Sequence, residues 1–138
     1  MNNLTPVVKN LILLNVLVFV ACLIYGDDLT NLLAMHYPTN PEFKPWQIIT
    51  HMFTHGGIFH ILFNMYALYS FGAILENDRV LGSKRFAFLY LFSGLGAIAF
   101  HLAIQAFVVW QQTGDIFLTY EQATSSNQLA SIYLSGLV

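Results

Sequence analysis

The chain has 138 residues, of which 57% are hydrophobic and only 9% charged, with a net charge of −2 and a mean hydropathy of +0.61. Soluble domains carry about 25% charged residues, so this composition excludes an ordinary water-soluble globule. Five Lys and Arg leave no basic face for nucleic acid, and the single cysteine, Cys22, cannot close an internal disulfide.

The apolar residues fall in long runs, and the expected fold is an all-α integral membrane bundle. A bilayer core of about 30 Å takes roughly 20 apolar residues at 1.5 Å each. The first such run, Val7 to Tyr25, reads VVKNLILLNVLVFVACLIY. It is a span rather than a secretory signal, because Leu23-Ile24-Tyr25-Gly26 offers no small-x-small cleavage site. Residues 26–56 then form a partly helical loop holding Pro38, Pro41 and Pro45, with Tyr37 and Trp46 as rings suited to the membrane interface. The second run is Gly57 to Leu75, and the third is Phe86 to Trp110, long enough to cross with tilt. The tail, 111–138, begins polar and turns apolar again over Leu129–Val138, which reads as the start of a fourth span.

Charge sets the expected topology. Lys9 lies in the first turn of span one, and Arg79, Lys84 and Arg85 lie in the link after span two. Lys44 stands alone in the loop after span one, and the tail has no Lys or Arg. The positive-inside rule puts the N-terminus and the 76–85 link in the cytoplasm, with the loop and tail outside.

Polar side chains within spans need a reason. His60 and Asn64 are four apart on span two, hence on one helix face, a short way below the outer surface. Such a donor pair can stabilise a developing oxyanion, and it can equally make plain interhelical hydrogen bonds. His51 and His55 share the spacing, but no third metal ligand is placed by spacing, and the expected role is to bond the outer loop to the top of span two. Glu76 at the cytoplasmic end of span two needs a partner, from Arg79, Lys84, Arg85 or the N–H groups of the next turn. Asn15 reads as an interhelical hydrogen bond, and His101 with Gln105 as packing or interface groups; Ser93, Gly94, Gly96 and Ala97 let helices approach closely.

The stretch from Trp46 to Asn64, WQIITHMFTHGGIFHILFN, strongly resembles the rhomboid family. That family has a loop tryptophan usually followed by arginine, a Thr-His pair, a second histidine, and H-x-x-x-N on the second of six core spans. Here these fall on Trp46, Thr50, His51, His55, His60 and Asn64, and the following G-x-x-x-E and Gly-Ser on Gly72, Glu76, Gly82 and Ser83. The resemblance implies an intramembrane serine endopeptidase acting on membrane-anchored proteins, without cofactor or metal, in a bacterial cytoplasmic membrane. A serine in G-x-S-G attacks the peptide carbonyl with a sixth-span histidine as base, while His60 and Asn64 stabilise the oxyanion and Trp46, His51, His55, Glu76 and Gly82 support the site. Two departures stand out. Gln47 occupies the usual arginine position, which puts the loop's bracing in doubt, and no G-x-S-G occurs, Tyr133 standing two before Ser135-Gly136. Residues 1–138 are therefore expected to be the N-terminal part of one rhomboid-like domain, inactive alone, with the nucleophile following Val138. Two other readings stay open: an inactive rhomboid-like protein that binds membrane clients, and a small three-span protein binding metal or haem through its histidines.

Overall fold

A computed structural model describes residues 4–136. It is all-α, and three helices are long and apolar enough to cross a membrane. These are α1 (Pro6–Tyr25), α4 (Ile58–Glu76) and α5 (Gly82–Thr113). Between α1 and α4 lie α2 (Asp27–Leu33) and α3 (Gln47–Thr50), followed by a 3₁₀ turn at His51–Phe53. Beyond α5 come two short helices, α6 (Tyr120–Ala123) and α7 (Asn127–Leu134).

The span boundaries follow the apolar runs with small shifts. Pro6 starts α1, where its missing N–H is harmless. Gly26 ends it at φ +67°, a conformation that favours glycine. At 32 residues, α5 is about 48 Å long, so it tilts or projects beyond a 30 Å core. Its extra length comes mostly from the polar turn Gly82-Ser83-Lys84-Arg85, which begins at Gly82 with φ +74°.

Within α4 the ladder widens into a π turn at Leu68–Gly72. Gly72 faces both α1 and α5: a β-carbon on it would stand 2.8 Å from Val8 Cγ2 and 3.2 Å from Phe86 Cζ, so any larger residue there would push those side chains aside.

Glu76, 2% exposed, closes that end of the bundle. Its carboxylate accepts the N–H groups of Val7 and Val8 at 2.9 Å each, and the Ser83 hydroxyl at 2.7 Å. The charge expected to need a cation or its own next turn is instead held by the positive end of α1.

Little of each span is buried, between 6% and 17% of its most apolar window, as befits helices whose solvent is lipid. The main cluster of buried apolar side chains lies at the end of the bundle away from Glu76: Tyr37 from the loop, Val109 from α5, and Leu118, Ala123, Leu129, Ile132 and Tyr133 from the tail. Loop and tail are also tied by polar bonds. The Tyr37 hydroxyl donates to the Ile116 carbonyl at 2.8 Å, the Thr39 hydroxyl to the Leu118 carbonyl at 2.7 Å, and the Asn40 amide to the Tyr133 carbonyl. The tail thus forms a folded cap on the loop. A capping box of Thr119 with Gln122 starts α6, and the Ser126 hydroxyl caps α7. The helix stops at Leu134; the last two residues of the run expected to open a fourth span, Leu137 and Val138, lie outside the described residues.

Candidate functional site

The loop residues act first on the end of α2. Its last carbonyls have no partner within the helix. The Trp46 indole N–H donates to Leu32 O at 3.1 Å, and the Thr50 hydroxyl to Leu33 O at 2.7 Å. Gln47 is fully buried beside them. Its side-chain oxygen accepts the N–H of Lys44 at 3.1 Å and of His36 at 3.3 Å. Its amide nitrogen donates to Glu42 O at 2.9 Å, with Asn31 O and Leu32 O each at 3.4 Å. The residue that put the loop's bracing in doubt is its hub.

This braced loop sets two histidines over span two. His51 Nδ1 lies 2.9 Å from the Gln47 carbonyl and His55 Nδ1 lies 3.3 Å from the Phe53 carbonyl. A carbonyl only accepts, so both rings carry their proton on Nδ1 and present a bare Nε2. Both of these bonds are local to the loop, and neither reaches span two. Contact with span two comes through ring packing instead: His55 meets His60 edge to face, ring centres 5.0 Å apart.

Burial holds both His51 and His55 below the usual histidine range, and a positive charge on His60 would lower His55 further. The folded state therefore binds fewer protons than the unfolded chain around pH 6. The stability these neutral rings supply is complete above about pH 6.5 and is lost as pH falls through their depressed folded values. Thermal unfolding in detergent is expected to show a level midpoint above about pH 6.5 and a falling one from there to about pH 5.5. The His51→Asn/His55→Asn double variant should lose part of that slope; equal slopes would reject the account.

His60 and Asn64 sit on the first two turns of α4, about 3 Å and 9 Å along the axis from Ile58. Both are exposed, and neither has a hydrogen-bond partner among the described residues. Asn64 lines a cleft of about 580 Å³ between the three spans, together with His51, His55 and Asn15. Met52, Met65, Leu68 and Tyr90 give it apolar walls, and Gly94 and Ala97 thin the wall on α5. The Met52 side chain fills the space above Gly94, where a β-carbon would fall 2.7 Å from its sulfur.

Of the residues singled out in the sequence, His51, His55 and Asn64 share this cleft, and His60 stands at its edge through His55. Glu76 and Gly82 lie at the other end of the bundle and act on the helix ends. Among the described residues, no three His, Cys, Asp or Glu side chains are arranged to hold a metal. Asn15, read as an interhelical bond, donates its amide to Leu11 O of its own helix at 2.7 Å.

Comparison with known proteins gives this arrangement a context. A family model described as the rhomboid domain matches residues 42–114. The rhomboid protease GlpG of Salmonella newport (strain SL254) is 33% identical over 92 residues, covering 65% of this chain and 32% of that protein. The mitochondrial presenilin-associated rhomboid-like protein of Pongo abelii is 35% identical over 101 residues, 68% of this chain and 25% of that protein. The chain spans about a third or less of the length of these curated relatives.

Proposed function

The chain belongs to the rhomboid family, and from that premise we propose that it supplies the oxyanion-stabilising part of an intramembrane serine endopeptidase. Its substrates are membrane-anchored proteins, cut within or near their transmembrane segments. The observation that carries the reading is the pair His60 and Asn64: two polar side chains on one face of a span, just below the braced outer loop, with no hydrogen-bond partner among the described residues. An exposed donor pair at that depth is costly unless it meets something. A peptide carbonyl turning tetrahedral would be met by an imidazole N–H and an amide N–H. Those donors bind the charged oxygen more strongly than the ground-state carbonyl, and so lower the barrier.

The serine nucleophile and its histidine base are assigned to parts of a longer protein, in a single membrane domain with these 138 residues. Trp46, His51 and His55 hold the loop over the donors, and Glu76 with Gly82 fixes the far ends of the spans. The N-terminus and the short link before Gly82 face the cytoplasm of a bacterial inner membrane, as the placement of Lys9, Arg79, Lys84 and Arg85 suggests.

The test is cleavage of a single-span model substrate in liposomes by the longer protein that carries this sequence, with reaction of its serine towards a fluorophosphonate probe. His60→Ala and Asn64→Ala are each expected to lower kcat by about 10²–10³-fold with KM little changed. Absence of probe labelling and cleavage would reject the enzyme and leave a rhomboid-like protein that binds clients without cutting them.

A further inference from the structure

The clasp at Glu76 leaves the cations around it unused. Lys9 follows Val8 on α1, Arg79 lies in the link after α4, and Lys84 and Arg85 follow Ser83 in the first turn of α5. Three segments that meet at one carboxylate thus bring four cations to one end of the bundle. All four side chains are exposed, and among the described residues none pairs with an acid. Asp78 is the other carboxylate at this end, and it is turned to Gly82, where a β-carbon would stand 3.3 Å from its Oδ1.

These cations lie on faces turned away from the cleft between the spans. A helix turns about 100° per residue, so Lys84 and Arg85 lie roughly 130° to either side of the α5 wall made by Tyr90, Ser93, Gly94 and Ala97. Lys9 lies about 120° from Asn15, which marks the cleft side of α1 with its Oδ1 buried and unbonded. Each cation heads a strip of exposed apolar residues instead. Leu13, Val16 and Val20 run on from Lys9, and Phe88 and Phe92 from Arg85, at helical spacing. Phe88 and Phe92 are 68% and 63% exposed, and their rings stack with centres 5.5 Å apart. Depth agrees. Trp110 lies about 38 Å along α5 from Arg85, so the two bracket a core of about 30 Å, with a cation in one headgroup layer and an indole in the other.

We propose that Arg79, Lys84 and Arg85 hold the phosphate of an anionic phospholipid whose acyl chains lie on Phe88 and Phe92, with Lys9 adding its charge from α1. The cleft is where further parts of a longer protein have room to pack, and it lies on another face of α5. Lipid is the occupant that brings a negative group to the end of a span and an apolar chain to the strip beside it. The planar fork of arginine suits two phosphate oxygens, and lysine adds a point charge. A zwitterionic headgroup carries its own ammonium, which these cations repel, so the site discriminates by net charge. Bound there, the lipid fixes the depth of α5 and of the cap packed on Val109. The inference goes beyond the proposed function and does not rest on hydrolysis.

The test measures lipid association alone. The full chain is reconstituted in phosphatidylcholine vesicles with a trace of spin-labelled phosphatidylglycerol, or of spin-labelled phosphatidylcholine with the same acyl chains. The motionally restricted fraction is read by electron spin resonance. Phosphatidylglycerol is expected to associate about five-fold more strongly at low salt, and the preference to shrink towards unity in about 0.5 M NaCl. Lys84→Gln/Arg85→Gln should lose most of it, while Lys44→Gln, in the loop at the other end, should keep it. Equal thermal midpoints in uncharged detergent show that these variants are folded. No preference in the unaltered chain, or one that survives in Lys84→Gln/Arg85→Gln, overturns the proposal. So does a preference that disappears in the longer protein carrying this sequence, because the rest of the domain then covers the site. None of these results depends on cleavage, so this proposal and the proposed function fail separately.

Discussion

Replacing Glu76 by alanine is expected to destabilise the fold by about 3–5 kcal/mol, measured by unfolding in mixed micelles. The carboxylate accepts two backbone N–H groups and one hydroxyl in a site that is 2% exposed. Hydrogen bonds to a charged group each contribute about 1.5–3 kcal/mol, and deletion leaves the N–H groups of Val7 and Val8 buried without an acceptor. The loss is global because the bond partners lie on different spans. Without the carboxylate the start of α1 is no longer tied to the end of α4, and Ser83 no longer ties α5 to both. Glu76→Gln separates charge from shape. Its oxygen can serve one N–H, but its amino group faces the other donor, so roughly half the loss is expected. An alanine variant as stable as the parent would mean that water reaches the two N–H groups and that the clasp is incidental.

The spans were legible because their signal is local. Twenty apolar residues in a row are visible whatever they touch, and the structure shifts the ends of the first two runs by at most one residue while adding 82–85 and 111–113 to the third. The partner of Glu76 was invisible for the opposite reason. It is the backbone of a helix that begins about 70 residues earlier, and a backbone N–H has no letter in the sequence. The π turn at Leu68–Gly72 is hidden likewise, since Leu, Tyr and Phe at those positions are ordinary α-helix residues. In the tail, Thr119-x-x-Gln122 is a readable capping box and Ser126 a readable cap, whereas the packing of Leu129, Ile132 and Tyr133 on the loop is a long-range contact that their apolar character alone does not reveal. At the candidate site the i, i+4 spacings brought His60 and Asn64 to one side of a helix. That His51 and His55 are fixed by loop carbonyls, and that Asn15 keeps a free acceptor, depends on where chain segments far apart in sequence come to rest.

Gln47→Arg shows how far a residue's meaning depends on those contacts. The family resemblance implies arginine at this position, yet the substitution is expected to destabilise this chain by about 3 kcal/mol or more. Gln47 is both donor and acceptor. Its oxygen satisfies the N–H groups of His36 and Lys44, and its nitrogen satisfies Glu42 O with Asn31 O and Leu32 O beside it. Arginine has five donors and no acceptor. It could bond the carbonyls, but both N–H groups would lose their partner and would face a cation that repels them. The site is fully buried in the native loop, so that charge would also be stripped of water. A loop built for arginine would need carbonyls where this one presents N–H groups. Gln47→Glu gives the complementary result, keeping the acceptor for His36 and Lys44 while setting a negative oxygen against Glu42 O. Both variants should unfold at lower temperature, and in both the loop between α2 and α3 should exchange its amides faster than the spans do. If Gln47→Arg instead matched or exceeded the parent, the loop would have to rearrange around the guanidinium, and the bonds now made by Gln47 would be one of two solutions this backbone can adopt.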